Sequence, residues 1–396
     1  MSIDGPLEIQ PIQQYSIDRT RLFTTESEGL DSVRTCVSIL IPSRGRSAKL
    51  ANLLDALSDQ VLDDNVEIEV IVVIDGDGTP PDVPVSLDVQ LHRTVHVGAG
   101  AARNIAMSCA RGQLLLFLND DVVPEPRCVM AHVRAHDGQH PMVLGYSPWL
   151  QPEQPTWFDA FVQHTPCIFG QIPTHDGALL DWRSAWTLNL SVKASCIASQ
   201  NARFDECIRP VYFEDIEFAY RLFGHDRAIW YAPEAVALHD HRVTMREYFA
   251  REVLLGIMSN VLYEVNQSCH HEIIPCEPAI HAAHAEPMFN LDARDQSRQL
   301  SHFVNACNEA VRAAIDDADV VSRAMELYTF HLPLKRRAFR LGLCDAVINP
   351  SLPWQDRVAR SRQLLDEDQV FSLLPEASSA GHAAGSRYQR NSPATG

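Results

Sequence analysis

Apolar residues fall in two alternating patterns along the first third of the chain. Cys36-Val-Ser-Ile-Leu-Ile-Pro42 is a nearly continuous apolar run, as are Glu69-Val-Ile-Val-Val-Ile74 and Gln113-Leu-Leu-Leu-Phe-Leu118. Short runs of this kind predict strands buried on both faces, the habit of parallel sheets. Between them the spacing turns helical. Leu50, Leu53, Leu54 and Leu57 share one face of a helix over Ala48–Leu57, and Gly98–Ala110 is a second helix, entered through small residues and stopped at Gly112. Val89–Val95 is a further strand. Strand and helix in alternation imply right-handed crossovers and an open, mostly parallel sheet.

Downstream, Trp182–Val192 and Ile229–Leu238 have strand patterns, Glu214–Phe223 a helical one (Ile216, Phe218, Ala219, Leu222), and Met245–Val265 opens a long helix. Residues 267–300 are rich in His, Pro and acids and suggest a loop or linker. Helical spacing returns over Phe303–Leu343 and Trp354–Leu374. The expected organisation is an extension over 1–34, a catalytic domain over 35–266, a linker and helical region over 267–375, and a disordered tail over 376–396.

In an open parallel sheet, ligands bind at the carboxyl ends of the strands. Three polar clusters fall at such ends: Ser43–Arg46, Asp75–Asp77 and Asn119–Asp121. Adjacent Asp120 and Asp121 suit a Mg²⁺ or Mn²⁺ ion that completes its shell with substrate phosphates, although Asn-Asp-Asp is also ordinary turn chemistry. Asp75 would accept from a nucleobase or ribose, or sit in a solvated turn. Arg103 follows Gly98-Ala-Gly-Ala-Ala102, where small residues permit close approach and the guanidinium can neutralise phosphate. Glu214 and Asp215 stand before an apolar-periodic helix, either as charges on the helix dipole or, for Asp215, as a general base. His239 and His241 would bind a metal or be structural. His270-His271-Glu272 and His281–His284 lack partners at zinc-site spacing and read as polar linker.

Taken in order, these pieces resemble family 2 glycosyltransferases from about Val37 to about Gly256. The resemblance is carried by Val37-Ser-Ile-Leu-Ile-Pro-Ser-Arg-Gly-Arg46, Val70-Ile-Val-Val-Ile-Asp-Gly76, Gly100-Ala-Ala-Arg-Asn104 and Leu116-Phe-Leu-Asn-Asp-Asp-Val122. It continues through Asn189-Leu-Ser191, Phe204-Asp-Glu206, Phe213-Glu-Asp-Ile-Glu-Phe218, Tyr231-Ala-Pro-Glu-Ala235 and His239-Asp-His241. Asn119 stands where the family more often has the first Asp of its metal motif, and Asp75-Gly-Asp-Gly78 replaces the commoner Asp-Asp-Gly-Ser.

The resemblance implies a GT-A fold with a helical C-terminal extension and an inverting transfer from a nucleotide-diphosphate sugar, assisted by Mn²⁺ or Mg²⁺. Pro42, Ser43, Arg44, Asp75, Arg103, Asp120 and Glu214 would hold the nucleotide sugar. Asp121 and His239, with His241 as rival, would meet the metal or diphosphate, and Asp215 would be the base. The acceptor is open: glycan, lipid-linked glycan, protein or small molecule. The alternatives are a binding protein that no longer transfers and a nucleotidyltransferase, for which Ser43-Arg-Gly-Arg46 is a poor triphosphate loop.

Composition narrows the partners. The 396 residues carry 51 acids against 33 bases, a net charge of −18. That excess argues against broad nucleic-acid binding and against docking on anionic lipid. No apolar segment reaches a membrane span, and Met1–Gln10 has no signal-peptide pattern. Ten scattered cysteines without a CxxC pair suggest reduced thiols and a cytoplasmic protein. Residues 51–100 hold ten acids against Arg93 alone, −9 of the −18. Asp55, Asp59, Asp63, Asp64, Glu67 and Glu69 are expected to coat a helix and its exit loop. Asp75 and Asp77 fall instead inside the implied donor pocket, where an acidic site facing a diphosphate calls for a divalent cation.

Overall fold

A computed structural model of the chain describes residues 10–15, 34–137, 140–169, 177–224, 228–285, 289, 293–312 and 315–375. The expected tail over 376–396 and most of the extension over 1–34 lie outside these residues. Within the latter, only strand β1 (Gln10–Tyr15) and Arg34 are described.

The centre is a mixed sheet in the order β1-β4-β3-β2-β5-β9-β7-β10-β6. Strands β2 (Thr35–Ser43), β3 (Val66–Asp75), β4 (Val89–Thr94) and β5 (Leu114–Leu118) are mutually parallel, as their unbroken apolar runs require. Chain order runs outward from β2 to β3 and β4. It then returns through α2 (Ala99–Cys109) to place β5 on the other side of β2. The direction of winding therefore switches between β2 and β5, the place where such sheets open a crevice.

Beyond β5 the sheet is mixed. Strand β9 (Asn189–Lys193) is antiparallel to both β5 and β7 (Met142–Tyr146), and β10 (Ile229–His239) runs parallel to β7. The short β6 (Val122–Pro124) pairs antiparallel with the end of β10. This pairing brings the chain after Asp121 beside His239.

Helices cover both faces. On one side α1 (Ser47–Ser58) and α3 (Cys128–Asp137) bury Leu50, Leu53, Leu54, Leu57 and Val129 against β2, β3 and β5. On the other, α2, α6 (Glu214–Phe223) and α7 (Met245–Val265) pack on Leu40, Ile71, Val73, Leu115 and Phe117. Helix α7 has apolar residues on two faces, because it serves two cores. Leu254, Ile257, Met258 and Leu262 face the sheet side, while Tyr248, Phe249 and Val253 face the C-terminal helices. The arrangement is an open α/β sheet with helices on both faces and a helical C-terminal region.

Three expectations are corrected. Residues 267–300 are mostly helix, not loop: α8 (Gln267–Ile273), α9 (Pro278–Ala285) and the first half of α10 (Ala293–Asn308) lie there. Each turn buries only about one side chain, such as Cys269, Ala282 or Leu300, so the exposed polar faces mask the period. The helical pattern over Phe303–Leu343 is two helices, α10 and α11 (Asp317–Ile348), the second started by Asp316 accepting from the amide of Ala318 at 2.9 Å. The strand expected over Trp182–Val192 begins only at Asn189. Asp181 caps a 3₁₀ turn over Trp182–Ser184 by accepting from the Arg183 amide at 2.8 Å.

Glu69 also departs from expectation. It is buried, not part of a surface coat. Ser38 Oγ donates to it at 2.5 Å, as does the Arg111 amide at 2.7 Å, and Arg111 Nη2 pairs with it at 2.6 Å. A carboxylate inside a parallel sheet is tolerable because all its partners arrive from other elements.

Four buried histidines set an acid limit on the fold. His132 and His136 on α3 meet Ser191 Oγ at 2.8 Å each, and His132 also meets Asn189 Oδ1 at 2.9 Å. Burial lowers His132 to about 4 and His136 to about 3, and lowers His270 and His331 to about 4. Between their ordinary value of 6.5 and these values the unfolded chain binds more protons than the folded one, so stability falls as pH falls. Asp215 and Asp120, both raised by burial, oppose this with two protons against four. Denaturant midpoints are expected to drop from pH 7 to pH 4.5, and a flat profile would contradict neutral burial of these rings.

Candidate active site

Two of the three clusters at strand ends meet in the crevice. Strand β2 ends at Ser43, whose Oγ donates to Asp120 Oδ2 at 2.7 Å across the switch point. Strand β5 ends at Leu118, so Asn119, Asp120 and Asp121 leave the sheet beside it. Arg46, on the loop after β2, pairs with both Asp120 and Asp121. Strand β10 delivers His239, whose Nε2 lies 3.6 Å from Asp121 Oδ2, and His241 Nδ1 lies 3.9 Å from the same oxygen. His239 is the more buried of the two and stacks on Trp149 at 4.2 Å between ring centroids.

The two aspartates are electrostatically unlike. Burial raises Asp120, and the neighbouring Asp121 charge adds to that, outweighing Arg46. Burial would raise Asp121 too, but His239, Arg46 and His241 hold it well below the usual carboxylate range. Asp121 therefore stays ionised, and its Oδ1, buried, has no hydrogen-bond partner.

Asn119 links this corner to the next. Arg103 on α2 donates to Asn119 Oδ1 at 3.2 Å and to Glu214 Oε1 at 2.9 Å. Its guanidinium is thus held by two side chains rather than open to the crevice. The adjacent Asn104 accepts from the Phe204 amide and donates to the Phe204 carbonyl and to Glu206, all at 2.9 Å. That clamp joins the Ala-Arg-Asn and Phe-Asp-Glu segments across a hundred residues of chain.

Glu214 and Asp215 open α6, where their charges favour the helix dipole. Tyr212 (φ 75°) and Phe213 (φ 70°) precede them, both in the left-handed region. Two successive aromatic residues there cost on the order of 1–3 kcal/mol each, a strain the fold imposes to turn both carboxylates inward. Asp215 accepts from the Ile216 amide at 2.8 Å and the Thr187 amide at 3.5 Å. Burial and the Glu214 charge push Asp215 up to about 7, against the pull of Arg103.

Asp75 ends β3 and is buried. Its carboxylate accepts from the amides of Val97 at 2.6 Å and Gly98 at 3.1 Å, at the start of α2, with His96 Nε2 at 3.6 Å. It therefore ties β3 to α2. Pro42 is half-buried behind Ser43, and Arg44 is exposed on the loop.

Several site residues had no local signal in the sequence. Trp149, Phe169 and Trp186 form an aromatic row with centroids 5.7 and 5.3 Å apart, running from His239 toward the Thr187 amide beside Asp215. Phe158, Phe161 and Trp182 are core residues, whereas Trp186 joins this row. Trp354, from the C-terminal region, packs on His96 at 4.7 Å and under the Arg209 guanidinium at 5.4 Å. The helical region thus reaches the rim near Asp75.

Residues 38–162 match the family described as Glycosyl transferase family 2. Over those residues the chain is similar to that family. Over 235 residues this chain is 26% identical to the pre-mycofactocin glycosyltransferases of two Mycobacterium tuberculosis strains, CDC 1551/Oshkosh and ATCC 25618/H37Rv. The match takes in 56% of this chain and 46% of theirs, so it spans about half the length of those relatives. Among solved structures, TarS 1–349 of S. aureus with UDP-GlcNAc is 14% identical, with a TM-score of 0.40 over 79% of this chain and 92% of TarS 1–349. The mannosyltransferase PcManGT of Pyrobaculum calidifontis, with GDP-Man and Mn²⁺, is 13% identical, with a TM-score of 0.46 over 88% and 91% of the two chains. The family 2 match covers β2 through α4 (Trp157–His164), and so includes Ser43, Arg46, Asp75, Arg103, Asp120 and Asp121. His239 and Asp215 lie beyond it. Among the described residues no helix is long and apolar enough to cross a membrane.

Proposed function

We propose that this chain is an inverting glycosyltransferase that moves a sugar from a nucleotide-diphosphate donor to an acceptor hydroxyl. The supporting observation is an ionised Asp121 beside His239 at the switch point, linked through Asn119, Arg103 and Glu214 to the next residue, Asp215, a carboxylate raised to about 7. Such an opposed pair of carboxylates is what separate charge-binding and proton-accepting roles require.

Pro42, Ser43, Arg44, Asp75, Asp120 and the Arg103–Glu214 pair form the donor pocket in this reading. The crevice lies at the end of β2, and α2 holds Arg103 and Glu214 together as its far wall. Residues 35–266 act as the catalytic unit, with the helices of 267–375 packed on α7.

The donor set fits a divalent cation. Among the described residues no three His, Cys, Asp or Glu side chains converge to hold an ion alone. Asp121 and His239 do come together, His239 Nε2 lying 3.6 Å from Asp121 Oδ2, so a carboxylate oxygen and an imidazole nitrogen would be the protein ligands. Mn²⁺ or Mg²⁺ held by few protein groups takes its other ligands from phosphates. Bound there, it would stabilise charge developing on the leaving diphosphate. Asp215 takes the proton of the acceptor hydroxyl, Arg103 holds Glu214 in place, and the aromatic row excludes water from one side. With a single base and attack opposite the leaving group, the anomeric configuration inverts, unlike the paired-carboxylate route of retaining hydrolysis.

Asp121→Asn is expected to weaken Mn²⁺ binding by at least about a hundredfold in the presence of a nucleoside diphosphate. The measurement is Mn²⁺ titration followed by electron paramagnetic resonance with UDP and GDP in turn. An unchanged titration would remove Asp121 from the metal site. The donor itself is found by calorimetry across UDP- and GDP-sugars. Release of pyrophosphate from a nucleoside triphosphate would favour a nucleotidyltransferase instead.

A further inference from the structure

Asp120 and Asp121 are two buried carboxylates side by side, with side chains 0% and 5% exposed. What neutralises them across the crevice is a half-exposed arginine. Arg46 is 41% exposed, yet one of its terminal nitrogens pairs with Asp120 Oδ1 and the other with Asp121 Oδ2. The other nearby cation, Lys49, pairs with Asp240 at 3.3 Å. The loop that carries Arg46 is exposed on its outer side, while Gly45 packs closely against Gly78. Arg44, Gly45 and Arg46 are exposed, and a Cβ added at Gly45 would meet nothing within 4 Å. Arg46 occupies the N-cap position of α1 without any side-chain capping bond. The strongest contacts of the Arg46 side chain are therefore to the aspartates themselves.

Uncompensated, two adjacent buried carboxylates would be costly, and one guanidinium supplies only half of their charge. A divalent cation supplies all of it. The two compete for Asp121 Oδ2, the oxygen that Arg46 Nη1 donates to and that lies 3.6 Å from His239 Nε2.

We propose that Arg46 is a built-in competitor of the metal. It holds the aspartate pair closed in the absence of donor and surrenders it when a divalent cation arrives with a nucleoside diphosphate. The displaced guanidinium then has the diphosphate as its nearest anion, so the exchange of partners conserves its charge pairing. Metal alone must displace Arg46 with no new partner for it, whereas metal with diphosphate need not. The arginine thus couples the two ligands, and coupling of this kind is reciprocal. This inference rests on the reading of Asp121 as the metal-binding residue.

The test is Mn²⁺ titration by electron paramagnetic resonance on the full chain, without nucleotide and then with UDP or GDP, for the wild type, Arg46→Gln, Arg46→Lys and Asp121→Asn. Wild type is expected to bind Mn²⁺ weakly alone and about tenfold or more tightly with nucleoside diphosphate. Arg46→Gln is expected to bind Mn²⁺ alone about tenfold more tightly than wild type and to lose most of the gain from nucleotide. Arg46→Lys, which can pair with only one carboxylate at a time, falls between them and serves if the glutamine variant does not fold. Unchanged or weaker metal binding in both Arg46 variants overturns the competition. Equal Mn²⁺ binding by wild type and Asp121→Asn would instead overturn the metal reading on which it rests.

Discussion

Asp215→Asn is expected to lower the rate of sugar transfer by roughly 10³-fold while leaving donor affinity nearly unchanged. The amide keeps the size of the side chain and its bond from the Ile216 amide, so α6 and the Arg103–Glu214 pair stay in place. What it loses is a basic oxygen. Because burial and Glu214 raise Asp215 to about 7, the wild-type rate should climb with pH through that region as the carboxylate ionises. The sign follows from the role: a base works only when deprotonated. Glu214→Gln removes a charge that raises Asp215, so the rising limb should move to lower pH. Steady-state kinetics from pH 5.5 to 8.5, with nucleoside diphosphate release as the readout, measures both effects. A variant as active as wild type, or a rate that falls as pH rises toward 7, would remove Asp215 as the base.

Gly342→Ala is expected to destabilise the protein by about 3 kcal/mol or more. Helices α7 and α11 cross backbone to backbone. A Cβ on Gly342 would lie 1.8 Å from the Val253 carbonyl oxygen, and one on Gly256 would lie 2.0 Å from that of Phe339. No rotamer relieves a clash between backbone atoms, so the helices must separate. Separation pulls Leu334, Ala338 and Leu343 away from the packed faces of α7. The test is discriminating because the local effect has the opposite sign. Alanine is the better helix former by about 1 kcal/mol, so if α7 and α11 were apart the substitution would stabilise. Urea denaturation midpoints decide between the two, and a midpoint at or above that of wild type would refute the crossing. Since α7 also packs on the sheet side, the same variant should lose activity as the C-terminal region loosens.

The parallel strands, α1, α6 and α7 were legible because their signals are local. An unbroken apolar run or a 3.6-residue period is written in consecutive residues, and each was found where its pattern lies. The clusters at Ser43, Asp75 and Asn119–Asp121 were legible for the same reason, since strand ends in a parallel sheet share one edge. Residues 267–300 were not legible, because helices that bury one side chain per turn show little period. Glu69 was misread because only Ser38 and Arg111, brought from other elements, make a buried carboxylate tolerable there.

Residue order alone determined the layered α/β sheet, the strand ends where polar clusters fall and the list of groups able to do chemistry there. Those properties follow from hydrophobic period and from which side chains carry charge. Tertiary structure alone decided which groups meet. It set Arg46 between Asp120 and Asp121, bound Arg103 to Glu214 rather than leaving it open, and aligned Trp149, Phe169 and Trp186 along one wall. The physical reason is that pairing and desolvation depend on distance in space, and residues 75 or 111 positions apart have no shared pattern from which that distance could be read.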